Sequence, residues 1–170
     1  MNYLHVLWSG PYKLSQLDRL CNQTRDYGVY QIYGQHPAYG SNSLLYIGQA
    51  NRQMFGVRIK QEGWENHSDA ENIAIYVGRL AGISTPPLDI WERQITVAER
   101  LLIYAHFPAA NSAGLNQLPI DAEQYHLLNW GKYRQLLPEV SGYRWKRPTN
   151  QPVHIFAISS STTTEQPEQI

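Results

Sequence analysis

The sequence predicts a small α+β domain, and three observations carry that prediction. The tripeptides Gly28-Val29-Tyr30 and Tyr46-Ile47-Gly48 read as short strands that each set a Tyr near a Gly. Residues 73–77 are rich in β-branched side chains and read as a third strand. Residues 90–107 carry the strongest helical periodicity and end at Pro108, which cannot continue a helix.

The elements follow in order. After the Pro11 turn, Leu14, Leu17, Leu20 and Cys21 recur at helical spacing, and Tyr27-Gly28 marks the stop. Residues 29–33 alternate as a strand does. Residues 34–43 are dense in Gly, Pro, Ser and Asn and are expected to form a loop. Residues 44–47 give the second strand, most simply paired antiparallel with the first. A short helix is expected over 51–62, with Phe55 and Ile59 on one side. Gly and Pro break the chain at 82–87. Another helix is expected over 124–137, interrupted or ended near Gly131, and a last strand over 153–158. The polar run 159–170 has the composition of a disordered tail. One domain is expected over 1–158, with a core at about 27–116 and a basic addition at about 124–158.

Composition bounds the function. An apolar share of 42% supports an ordinary core. Fourteen basic and fourteen acidic residues cancel, which argues against tight non-specific nucleic-acid binding. The charges are nevertheless uneven. Glu62, Glu65, Asp69 and Glu71 cluster, and so do Lys132, Arg134, Arg144, Lys146 and Arg147, opposed there by Glu139. Twelve Tyr and five Trp supply flat side chains that fill cores or stack on bases. The single Cys21 excludes an internal disulfide and suits a reducing cytoplasm. The opening residues lack a signal-peptide pattern, and no apolar run has the length of a membrane span.

Helix geometry singles out Glu99. At about 100° per residue, Ile95, Leu102 and Ile103 project on either side of it, so its carboxylate falls within or at the edge of the apolar stripe. A carboxylate there must be paired, neutralised or bound to a metal. The plain alternative is a partly exposed Glu in a surface ion pair. No His or Cys spacing for zinc and no Walker-type loop occurs.

Taken in order, the two tripeptides, Arg58, Glu99 and the Pro108-Ala109-Ala110-Asn111 turn resemble the GIY-YIG nuclease family over roughly Tyr27 to Asn111, about half of the chain. The resemblance implies a small antiparallel three-stranded sheet flanked by helices, here with N- and C-terminal additions. It implies a metal-dependent endonuclease that hydrolyses phosphodiester bonds. Tyr30 would be the general base, Tyr46 its support, Arg58 the phosphate clamp and Glu99 the ligand of Mg²⁺, with Mn²⁺ as a substitute. Asn111 would steady the site, with Asn116 a second candidate. Gly48, Arg52, Lys60, Arg144, Lys146 and Arg147 would contact substrate. Many members carry a His one turn after the Arg, which here falls on Glu62, with His67 as the possible replacement.

A free Tyr has a pKa near ~10, so a Tyr base needs a cation beside it and predicts activity rising toward alkaline pH. The expected partner is nucleic acid, DNA ahead of RNA, in the cytoplasm, with a homodimer suited to two-fold symmetric DNA. A restriction-type or phage or mobile-element nuclease fits the size. The alternative is a catalytically silent module that binds nucleic acid or protein on the same fold. Around residues 143–147, aromatics interleave with cations, as on a strand-binding surface or on a solvated edge strand.

Overall fold

The structure, a computed structural model, describes residues 1–81, 88–118 and 121–145. Its frame is a six-stranded sheet: β1 (Asn2–Tyr12), β2 (Gly28–His36), β3 (Gly40–Ala50), β4 (Ala74–Ala81), β5 (Tyr125–Gly131) and β6 (Glu139–Ser141). The strands lie in the order β3-β2-β4-β1-β5-β6. All neighbours are antiparallel except β1 and β5, which pair in parallel from Asn2↔Tyr125 to Trp8↔Gly131. The helices are α1 (Phe55–Gln61) and α2 (Leu88–His106).

This corrects the expected three-stranded antiparallel sheet. The first two anticipated strands lie within β2 and β3, and the third overlaps β4 from Ala74 to Val77, but β1, β5 and β6 extend them into a mixed sheet. Two local patterns concealed the extension. In β1, Leu4, Val6 and Trp8 point into the core, while Tyr3 and Leu7 face solvent. Apolar side chains on both faces hide the alternation that normally marks a strand. In β5 the buried set is Tyr125, Leu127 and Asn129, with Trp130 outside. A buried Asn and an exposed Trp invert the usual pattern, which concealed β5 where a helix was expected over 124–137; Tyr125–Gly131 instead pairs with β1 and β6.

Two further expectations change. The loop placed at 34–43 is mostly hairpin: Gly34 pairs with Ser43 and His36 with Gly40, and the chain reverses over residues 37–39. The turn formers serve there as irregular strand positions, with Gly40 and Asn42 both at positive φ. The segment Leu14–Leu20 is a 3-10 helix rather than an α-helix. Its leucines recur every third residue, which is the 3-10 repeat. The strand expected at 153–158 and the tail 159–170 lie outside the described residues.

The sheet is covered on both faces over its β3-β2-β4 half. On one face Leu17, Leu20, Tyr30, Ile32, Phe55, Ile59, Ile75 and Val77 pack beneath α1 and the 3-10 helix. On the other, Val29, Tyr33, Ile47 and Tyr76 pack with Ile95, Ala98, Leu101 and Leu102 of α2. Every residue of β2 from Gly28 to Gly34 is therefore buried.

The added strands are joined by a buried polar contact. Trp8 Nε1 donates to Asn129 Oδ1 at 2.7 Å, and Asn129 Nδ2 donates to the Leu137 carbonyl at 2.8 Å. Asn129→Ala leaves the buried indole N–H without its acceptor. We expect a loss of about 1–3 kcal/mol, read from urea denaturation, with an unchanged slope against denaturant.

Candidate active site

Strand register sets the site. Tyr30 of β2 lies opposite Gly48 of β3, and Ile32 lies opposite Tyr46, so the two tyrosines share the α1 face one diagonal step apart. Their ring centroids are 6.2 Å apart. A Cβ at Gly48 would run into the hydroxyl and ring of Tyr30 and come within 2.7 Å of the Tyr46 ring. Gly48 thus makes room for the tyrosine pair, and its side-chain space is already taken by Tyr30.

The tyrosines converge on Glu62, the residue that caps the C-terminus of α1. Tyr30 Oη donates to Glu62 Oε1 at 2.5 Å, and Trp64 Nε1 donates to Glu62 Oε2 at 3.0 Å. Arg58 Nη2 lies 3.2 Å from Glu62 Oε1, one helical turn back. The Tyr46 hydroxyl also faces this carboxylate. Glu62 is only 12% exposed. His67 stands behind it, its ring 5.9 Å from Trp64 and its Nδ1 accepting the Asp69 N–H. Sequence reasoning passed over Glu62 because a carboxylate stood where a His was sought. The available signal was its place one turn after Arg58 and two residues before Trp64.

Burial dominates the protonation of both tyrosines. Desolvation, followed by the Glu62 carboxylate, raises Tyr30 far above its ordinary value, and Arg58 offsets only a small part. Tyr46 is pushed up to about 12, first by burial and then by Glu62 and Glu99. Without a metal, the nearby guanidinium does not outweigh burial at Tyr30.

Glu99 approaches from α2. Gln49 Nε2 donates to Glu99 Oε2 at 2.9 Å, and Thr96 Oγ1 donates to Gln49 Oε1 at 2.9 Å, which fixes the orientation of that amide. Among the described residues, Oε1 of Glu99 accepts no hydrogen bond. Burial pushes its carboxyl up to about 7, despite the opposing pull of Arg100 and Arg58. Asn111 secures this approach. Its side chain bonds both the N–H and the carbonyl of Ile47 at 2.9 Å, and Ala109 and Ala110 donate to the carbonyls of Leu44 and Leu45. The turn after α2 is thereby stitched to the edge strand β3, beside Tyr46.

The remaining expected residues scatter. Arg52 pairs with Glu92 at 3.3 Å, and Lys60 pairs with Asp18 at 2.6 Å. Asn116 is exposed. Arg144 is exposed on the turn after β6, with no contact to the cluster among the described residues. Lys146 and Arg147 lie outside the described residues. Other cations of the basic stretch serve the fold: Lys132 donates to the Gly10 carbonyl, and Arg134 lies over the rings of Tyr33 and Tyr76. A polar cleft of about 280 Å³ shares Gln49 and Arg58 with the cluster and is also lined by Arg52 and Gln53. That is at the small end for a pocket enclosing a ligand.

Among the described residues, no three His, Cys, Asp or Glu side chains form a metal-binding group. One carboxylate with a free oxygen still fits Mg²⁺, which keeps most of its waters and takes one or two carboxylates plus substrate phosphates. No helix of the described residues is long and apolar enough to cross a membrane. Comparison of the chain with protein-family models, curated proteins and solved structures gives no match.

Two outcomes are expected. In an unfolded chain Glu99 loses its proton near its ordinary 4.5, whereas the folded protein holds it to about 7. Between those values the folded state binds the extra proton, so metal-free stability falls as pH rises from 4.5 to 7. Glu99→Gln should flatten that fall in denaturation curves taken across the range. Gly48→Ala should cost about 1–3 kcal/mol in the same assay, because Tyr30 is enclosed and cannot yield.

Proposed function

We propose that this chain is a metal-dependent phosphodiester hydrolase of the GIY-YIG type, an endonuclease acting on nucleic acid, DNA ahead of RNA. The observation that carries the reading is the Glu99 carboxylate. It is held by Gln49 at the border of the core, with its second oxygen unpartnered among the described residues, next to a tyrosine pair and a guanidinium. Burying such a group lowers stability at neutral pH, and a bound cation would offset that cost. The chain-order resemblance of Tyr30, Tyr46, Arg58, Glu99 and Asn111 to that family supports the same reading.

The roles follow from the contacts. Arg58, 40% exposed and facing the polar cleft, can donate to the phosphate oxygens and stabilise charge that grows on them. Gln49 orients Glu99, and Asn111 keeps the edge strand and α2 in register. A Mg²⁺ or Mn²⁺ on Glu99 would supply Lewis-acid stabilisation for the departing oxygen. Of the two tyrosines, Tyr46 is partly exposed and can border the attacking water, whereas Tyr30 is fully buried. The setting proposed is cytoplasmic, in a restriction-type or mobile-element nuclease, with a homodimer on two-fold symmetric DNA. A silent binding module is the second reading. It draws support from the neutral net charge and from the pairing of Arg52 and Lys60 with carboxylates.

Supercoiled plasmid incubated with Mg²⁺ and the protein should be nicked or linearised, and a chelator or Glu99→Ala should abolish this. Cleavage that survives Glu99→Ala, or metal binding without turnover, would favour the second reading. Calorimetry gives an independent readout. Below pH 7, Mg²⁺ binding should release a proton, because Glu99 must ionise to bind, and Glu99→Gln should remove the release.

A further inference from the structure

We infer that the open face of β1 and β5 stacks the unpaired bases of a nucleic-acid strand, so that the substrate is single-stranded or branched rather than a continuous duplex. This deepens the hydrolase reading above and rests on it for the class of ligand. Along β1, Leu4, Val6 and Trp8 are buried in the core beside α2, so Tyr3, His5 and Leu7 lie on the opposite face. Register sets His126, Leu128 and Trp130 of β5 beside them. The α1 helix and the 3-10 helix cover this face over β3, β2 and β4. Among the described residues that cover ends at Arg79, whose guanidinium lies over the Phe55 ring. Beyond it, Tyr3, Leu7 and Trp130 are each at least half exposed.

Two features favour bases as the occupant. The first is that the rings are fixed before anything binds. Trp130 Nε1 donates to His5 Nδ1 at 3.1 Å, and the two rings are 8° from parallel with centroids 6.1 Å apart. An indole N–H lies in its ring plane, so the rings sit side by side and form one wide flat surface. Tyr3 meets His126 edge-on at 5.6 Å. Bases of any sequence stack on such rings, and little ordering is left for binding to impose. A duplex keeps its base faces stacked on one another, so only unpaired bases can use the surface.

The second feature is where the surface leads. Trp130 lies opposite Leu7, and Leu7 opposite Arg79. At the other side of the sheet Gly28 lies opposite Ala50, which lines the polar cleft with Arg52 and Arg58. The strand-to-strand steps from β5 to β3 cover about 19 Å, a distance that a few nucleotides bridge. On the way, Arg25 and Arg79 flank the carboxylate of Asp26, and exposed Lys132 follows Trp130. Glu139, paired with His126, stands at the far margin from the cleft. The border between cleft and rings is therefore net positive, as a phosphate backbone crossing it requires.

The test is fluorescence anisotropy of a labelled oligothymidylate with the full chain in a chelator, which reads binding without cleavage. The single strand should bind more tightly than a blunt duplex of equal length, and more tightly than an abasic strand that keeps the same phosphates. Trp130→Ala should weaken single-strand binding by about 5–150-fold, the effect of one stacked base, while Trp130→Phe keeps most of the affinity. An unchanged urea midpoint checks that both variants fold. Unchanged affinity in Trp130→Ala, or equal binding of the abasic strand, would overturn the inference. So would a wild-type dimer that Trp130→Ala dissociates in sedimentation with no loss of single-strand affinity, which would make this face an interface between copies. The plasmid assay with Glu99→Ala judges the hydrolase reading separately. Glu99-dependent cleavage beside unchanged Trp130→Ala binding would leave that reading standing and remove this one. Strand binding that depends on Trp130, with no cleavage at all, would do the reverse.

Discussion

Strand β2 runs through the middle of a doubly covered half-sheet, and its burial constrains the rest of the molecule. From Gly28 to Gly34 no residue reaches solvent, yet the segment carries two tyrosines and a glutamine. Polar groups removed from water need partners within the protein. Tyr33 meets this by donating to Gln31 at 2.6 Å and accepting from the Gln135 backbone. Tyr30 meets it by donating to Glu62, which draws a charged side chain from the end of α1 toward the core. The geometry of the candidate site is thus a consequence of how β2 satisfies its hydroxyls.

The edge strand β3 supplies the second half of the arrangement. An open edge leaves backbone groups unpaired. Here the turn after α2 covers them with Ala109, Ala110 and Asn111, the last acting as a substitute for a strand residue opposite Ile47. One set of hydrogen bonds therefore protects the edge and fixes the distance between α2 and β3. Glu99 can meet Gln49, and stand near Tyr46, because that edge is closed.

Charge has a different meaning in the folded protein than in the count. Arg52, Lys60, Arg79 and Arg93 each face a carboxylate, and Lys132 and Arg134 are used by carbonyl and ring contacts. These pairings offset the positive face that a basic stretch suggests. Arg58 also faces a carboxylate, but it borders an open polar cleft, which leaves it available for the phosphate contact proposed above. The aromatic count divides similarly. Tyr30 and Tyr33 are fully buried, while Tyr3 and Trp130 stand exposed on β1 and β5.

The sequence by itself determined the elements whose periodicity is clean: the strands around Tyr30 and Tyr46, the β-branched strand of β4, and α2 with Glu99 at the border of its apolar stripe. Local spacing dictates these, because each side chain's face follows from the repeat of its own segment. It also placed Arg58 and Asn111 in chain order. Tertiary structure alone decided the size and mixed pairing of the sheet, since Tyr3, Leu7, Asn129 and Trp130 reverse the pattern that alternation relies on. It alone decided that Glu62 takes the Tyr30 proton donor, 32 residues away in the chain. It likewise consumed Gly48's free space, Arg52 and Lys60 in contacts of the fold. Such facts depend on which segments meet across the sheet, and no local repeat encodes that meeting.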